Sequence, residues 1–124
     1  MFDTKAAPTY ICAGDTYATN EGAFTIRARI RFDGHARPTD YQCYTDEDIA
    51  AWQRDEWFYC GVVLRVSFNG IDLDTEHVSL WGVEANLNGD NSHVFDVAND
   101  MIPGALVEAK ARLRDIKGKL ALID

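Results

Sequence analysis

Residues 57–74 read WFYCGVVLRVSFNGIDLD, and the fold turns on how this stretch is read. Positions 57–68 are too apolar and too rich in β-branched and aromatic side chains for a surface loop, and they read as a strand. Asn69-Gly70 follows at once. This pair favours a two-residue hairpin, because a type I′ turn needs positive φ at both central positions and Asn and Gly tolerate it best. The turn then sets a register: Phe68 opposite Ile71, Ser67 opposite Asp72, Val66 opposite Leu73 and Arg65 opposite Asp74. The apolar pairs share one face, and Arg65–Asp74 the other. Carried further, the register puts His77 on the core face and leaves Val78 and Leu80 outside. A bulge in the polar stretch DTEH (74–77) would return both to the core. The second arm runs on through HVSLWGVEA (77–85).

Upstream, FTIRARIRF (24–32) alternates without error. Phe24, Ile26, Ala28, Ile30 and Phe32 point one way, and Thr25, Arg27, Arg29 and Arg31 the other, as a half-buried strand requires. The polar segment that follows contains Gly34 and Pro38 and reads as a loop. Thr45 or Asp46 then caps a short helix, roughly DEDIAAWQRDE (46–56), with Ile49 and Trp52 facing the core. Downstream, SHVFDVANDMI (92–102) carries Val94, Phe95, Ala98, Met101 and Ile102 at helical spacing. ALVEAKARLRDIKG (105–118) continues it with Leu106, Ala109, Leu113 and Ile116. Pro103-Gly104 lies between the two runs and predicts a kink or break near Ile102. KLALID (119–124) is compatible with a short edge strand. The expected fold is α+β: one antiparallel sheet of about four strands, with a short central helix and a broken C-terminal helix packed on it.

The chain has 124 residues, about one domain and enough to bury a single core without metal or disulfide staples. Residues 1–124 are therefore expected to form one domain. The start lacks the basic residues and apolar run of a signal peptide, and no stretch approaches the roughly 20 apolar residues of a membrane span. A cytoplasmic setting without membrane association is expected. Cys12, Cys43 and Cys60 are odd in number, far apart and without a CxxC pair, so they read as free thiols. The net charge of −8 is uneven, with −5 over residues 40–56 and −7 over 69–101 against +3 over 24–39. The two acidic blocks would repel a phosphate backbone, which is bound through Lys and Arg.

Three stretches carry a resemblance: DEWFYCGVVLRVSFNGIDLD (55–74), SLWGVEANLNGDNS (79–92) and VANDMIPGALVEA (97–109). Together, over about residues 50–110, they resemble small uncharacterised proteins encoded in phages and prophages of proteobacteria. Val83 stands where that family tends to have isoleucine, and His93-Val94-Phe95 depart from its usual helix start. The resemblance implies a mobile-element context in a bacterial host and no particular chemistry. Phage proteins of this size often bind and block host machinery, including CRISPR and restriction systems.

Catalytic and metal chemistry find little support in the residues. Asn86, Asn88 and Asp90 alternate like the start of an EF-hand loop, but the sixth position would be Asn91 rather than Gly and the twelfth Val97 rather than Glu. The simpler reading is a turn in which Gly89 takes a left-handed conformation and Asp90, Asn91 or Ser92 caps the following helix. Cys60 with His77 is the one thiol–imidazole pair that the hairpin could bring close, yet Cys60 lies on the apolar face and reads as inert. Asp72 and Asp74 share a strand face without the apolar surroundings that would raise one pKa for acid work. No catalytic residue, metal or cofactor is expected.

Two binding readings remain. In the first, an acidic surface of Asp72, Asp74, Glu76, Glu84, Asp90 and Asp96 docks onto the basic groove of a host or defence protein, partly standing in for nucleic acid, as an anti-CRISPR or anti-restriction inhibitor would. Nucleic-acid binding by the chain itself is then not expected. In the second, Arg27, Arg29 and Arg31, about 6.8 Å apart along one strand face, join Trp57 and Tyr59 to bind nucleotides or single strands. A ladder of ion pairs between these arginines and Asp72, Asp74 or Glu84 would be the structural alternative. Exposed aromatics leave a homodimer surface open.

Overall fold

The computed structural model describes residues 1–75 and 78–123. Its elements are β1 (Thr16–Glu21), β2 (Phe24–Phe32), α1 (Asp46–Gln53), β3 (Phe58–Phe68), β4 (Ile71–Asp72), β5 (Ser79–Ala85) and α2 (Ser92–Leu120). The strands form one antiparallel sheet in which β1, β2 and β3 are neighbours, while β4 and β5 both pair with β3. This is the expected α+β architecture.

The alternation in β2 becomes burial: Ile26, Ala28 and Ile30 are at most 1% exposed, while Arg27, Arg29 and Arg31 face outward. Opposite them on β3, Val66, Leu64 and Val62 continue the same apolar layer. α2 lays Val94, Phe95, Ala98, Ile102, Ala105 and Ala109 against it. Such spacing puts one stripe of a helix against one face of a sheet, which is what a two-layer core requires.

The hairpin forms as read. Asn69 and Gly70 have φ of 47° and 83°, Phe68 faces Ile71, and Ser67 faces Asp72. Leu73 N–H still donates to the Val66 carbonyl, but Asp74 turns to φ 49° and leaves the ladder. Arg65 consequently pairs with Asp72 and not with Asp74. The irregularity expected in DTEH is present, and Thr75 spans it. Its buried hydroxyl accepts from Val66 N–H at 3.1 Å and donates to the Leu64 carbonyl at 3.0 Å, standing in for a missing backbone rung. Leu64 N–H then meets the Val78 carbonyl, and Val78 packs on the core. Leu80 faces Val62 by register but remains 48% exposed on the outer strand, so only one of the two residues returns to the core. His77 and Glu76 lie outside the described residues, and so does the proposed Cys60–His77 pair.

A second bulge follows, because Cys60 faces Val83 while Val62 faces Leu80. Trp81 and Gly82 thus stand together opposite Gly61, with Gly82 at φ 73°. The outer edge of β5 is guarded here: Gly82 N–H donates to the Asp33 carboxylate, and the His93 ring meets the Glu84 carbonyl.

Two expectations for the C-terminal region are corrected. α2 is one helix through Pro103-Gly104. Proline removes a hydrogen bond to the carbonyl of Asn99, but Pro103 and Gly104 are on the solvent side and flanking Ile102 and Ala105 are buried on the sheet. Packing on the inner side holds the helix, and water can satisfy the freed carbonyl. KLALID forms no strand in its described part: Lys119 and Leu120 end the helix and a turn follows. α1 has the anticipated capping box, with Thr45 and Asp48 exchanging side-chain and backbone bonds. Its Ile49 and Trp52 are only half-buried.

The sequence pattern gave no sign of two features. TYATNE adds β1, paired through a short turn at Gly22-Ala23. Residues 1–15 form a strap that places Phe2 and Ile11 in the core. Asn99 holds the backbone of Phe2 through both N–H and C=O at 2.7 and 3.0 Å, and Asn86 holds Ile11 in the same way at 2.7 and 2.8 Å.

Candidate functional site

The face of the sheet opposite α2 carries the arginines. Pairing sets Arg27 against Arg65, Arg29 against Val63 and Arg31 against Gly61. Like charges directly opposite each other cost stability in a sheet, and Asp72 relieves one of them. The Arg65 guanidinium is hydrogen-bonded to the Asp72 carboxylate and, with the backbone N–H of Asp74, holds that carboxyl below its ordinary pKa. Arg27 donates to the Ser67 hydroxyl at 3.2 Å. Among the described residues no acid forms an ion pair with Arg27 or Arg29, so the ladder of ion pairs does not extend to these two. A concavity of about 130 Å³ lies between Thr16, Arg27, Arg29, Val63 and Arg65. Another, of about 330 Å³, adjoins it along Arg27, Arg65, Ser67 and Asp72.

The other end of this face is covered. Trp57 and Tyr59 are on the arginine side of the sheet, as anticipated, but each is only 2% exposed. Tyr44 stacks on Trp57 with ring centroids 5.4 Å apart and meets Tyr59 edge-on, with Tyr41 alongside. Trp57 Nε1–H donates to the Asp48 carbonyl, tying the cluster to α1. Burial, together with its hydrogen bond to Glu84, pushes the Tyr44 hydroxyl well above its ordinary pKa. Trp57 and Tyr59 therefore form the floor of a small aromatic core and offer no open ring face.

Among the described residues two aromatics on this side are exposed, Tyr41 at the edge of the aromatic cluster and Trp81, and the sequence reading singled out neither. A Cβ built on Gly61 would lie 2.4 Å from Trp81 Cε3 and 2.6 Å from both Cδ2 and Cζ3. Three adjacent ring atoms at almost one distance mean that the indole lies face-on over Gly61. An in-plane approach would leave the two flanking atoms much farther away. Trp81 Nε1–H donates to Ser79 Oγ at 3.3 Å, and the residue is 48% exposed. The available signal was Gly61 itself, since a glycine in the middle of an apolar strand marks close approach by another group.

The acidic candidates do not share a surface. Asp72 is engaged with Arg65, and Asp74 lies beyond it at the hairpin end of the sheet. Glu84 is partly buried beneath Tyr44. Asp90 accepts from Ser92 N–H at 3.0 Å in the turn before α2, and that bond holds its carboxyl below the ordinary range. Asp96 is on the outer side of α2, away from the sheet. Glu76 is outside the described residues. In the same loop Asn86 and Asn91 point inward: Asn91 accepts from Asn86 N–H at 2.7 Å and donates to the Pro8 carbonyl at 2.9 Å. Gly89 takes the left-handed conformation expected of the turn, at φ 73°, whereas Asn91, at the N-cap position of α2, makes no side-chain cap bond there. Cys60 is buried, and burial, with the Asp33 charge, pushes its thiol up to about 12. Cys12 and Cys43 are exposed free thiols.

Compared with family models, curated proteins and solved structures, the chain matches none. Among the described residues no helix is long and apolar enough to cross a membrane.

Proposed function

We propose that this chain is a non-enzymatic binding protein that holds an anionic ligand of the nucleotide or single-stranded nucleic-acid class on the arginine face of its sheet. One observation carries the reading: Arg27 and Arg29 stand exposed beside a concavity, with no ion-pairing acid among the described residues, in a chain of net charge −8. Where acids outnumber bases, cations left without such partners are the ones available to phosphates, and guanidinium groups suit them through paired N–H donors. The overall negative charge weakens non-specific attraction to long duplexes, so the ligand is short or single-stranded. The test is fluorescence anisotropy with a labelled dT12 oligonucleotide. Arg27→Glu with Arg29→Glu should weaken binding at least tenfold, while Asp90→Lys with Asp96→Lys should leave it nearly unchanged. Equal affinity in the arginine double variant would sink the reading.

A second reading rests on the other acidic block. Asp40, Asp46, Glu47, Asp55 and Glu56 are all exposed on and around α1, which supports docking onto the basic groove of a host defence complex in a phage or prophage context. A protein that binds no oligonucleotide yet displaces DNA from a purified DNA-binding defence complex would favour it.

A further inference from the structure

We infer that Trp81, seated on Gly61, is a stacking platform for a nucleobase, which makes the ligand of the arginine face a single strand with unpaired bases. This rests on the proposed function above and deepens it.

The geometry is that of a ring with one side occupied and the other free. Gly61 has no side chain, so the indole comes to rest against the β3 backbone at a distance that even one methyl group would forbid. The hydrogen bond from Nε1 to Ser79 fixes the ring's rotation. Its inner face is thus covered by backbone, and the 48% exposure belongs largely to the outer face. A large apolar surface held rigidly and open to solvent on a polar sheet face has little use in folding. It suits a flat π system, and every nucleobase offers one.

The surroundings give the ligand its charge. Counting across the sheet from Trp81, the next position is Gly61 on β3 and then Arg31 on β2. One rung along, Ser79, Val63 and Arg29 lie in line, and Arg27 follows on the same strand. Neighbouring strands are about 4.8 Å apart and alternate residues about 6.8 Å. A base on Trp81 would therefore have its backbone within reach of the Arg29 and Arg27 guanidinium groups, near the spacing of successive phosphates. A duplex could not use the platform, because its bases are already stacked and paired; single strands can splay a base out onto an aromatic ring. Trp57 and Tyr59, packed beneath Tyr44, offer no competing surface.

The experiment compares two ligands of equal charge, dT12 and an abasic deoxyribose-phosphate 12-mer, by anisotropy. Trp81→Ala should weaken dT12 binding about tenfold and leave the abasic strand unchanged, and Trp81→Phe should restore most of the loss. Gly61→Ala, which keeps the tryptophan but lifts it from its seat, should produce the same selective loss, with circular dichroism reporting that each variant is folded. Trp81→Ala binding dT12 as tightly as the unsubstituted protein, while Arg27→Glu with Arg29→Glu loses it, would overturn the platform and leave the arginine reading standing. Equal loss of both ligands in folded Trp81→Ala would also overturn it, since base stacking cannot explain an effect on an abasic strand. Failure of the unsubstituted protein to bind either strand would overturn the underlying function as well.

Discussion

Thr75 shows how much one side chain can carry in this sheet. The chain leaves the ladder at Asp74, and two backbone groups of β3 would be buried without partners had the Thr75 hydroxyl not bridged them. Threonine and valine have nearly the same shape, so Thr75→Val keeps the packing and removes both bonds. The expected cost is about 2–4 kcal/mol, read by urea denaturation, because each buried group left unpaired costs roughly 1–3 kcal/mol. Thr75→Ser keeps the hydroxyl and should cost only about 1 kcal/mol through the lost methyl. A Val variant as stable as the Ser variant would show that water supplies the rung. Asn86 works by a related logic, with its amide facing Ile11 rather than a ligand. An Asn-rich loop in sequence cannot announce this, because the partner is 75 positions away.

Among the elements, α2 is the one whose sequence and structure disagree most. Pro103 lies inside 29 residues of helix and should weaken it, since proline in a helix interior costs about 3 kcal/mol relative to alanine. Pro103→Ala restores one N–H donor on an exposed side and is expected to stabilise the protein by about 1–3 kcal/mol, raising its thermal midpoint. A neutral or destabilising result would mean that the proline already fits a local bend. The break expected near Ile102 failed because local propensity was weighed without the sheet beneath the helix. Where one residue type dominates its own position, the pattern was legible. The β2 alternation, the Asn69-Gly70 hairpin and the Thr45 capping box could all be read locally. β1 could not, because TYATNE has a single large apolar side chain and owes its place to β2. The arginine stripe could be read for the same reason that β2 could, whereas Trp81 depends on a bulge and on a glycine 20 positions away. The acidic surface was inferred from a segment's net charge, which says nothing about direction in space; the helix and turn send its members to different sides.

For the whole molecule, a −8 chain that binds an anion should do so with a modest and measurable salt dependence. If Arg27 and Arg29 engage phosphates of a single strand, the slope of log affinity against log salt should be about −1.4, since each contact contributes about −0.7. Raising salt from 50 to 200 mM would then weaken dT12 binding by roughly sevenfold. A slope near zero would point to stacking alone, and a much steeper one to a wider basic surface than Arg27, Arg29, Arg31 and Arg65 provide. The strap, too, acts on the scale of the whole chain, in time rather than in energy. The β1–β2 and β3–β4 hairpins connect near neighbours and β2–β3 joins positions 28 to 44 apart, whereas the clamps at Phe2–Asn99 and Ile11–Asn86 join positions 97 and 75 residues apart. Contacts that close such long loops pay their entropy before they return anything, so they form late. Interactions absent from the folding transition state govern the escape rate from the native state and not the rate of arrival. Asn99→Ala and Asn86→Ala should therefore speed unfolding in stopped-flow experiments while leaving the refolding limb almost where it was, which makes the first fifteen residues the latch that sets how long a molecule stays folded.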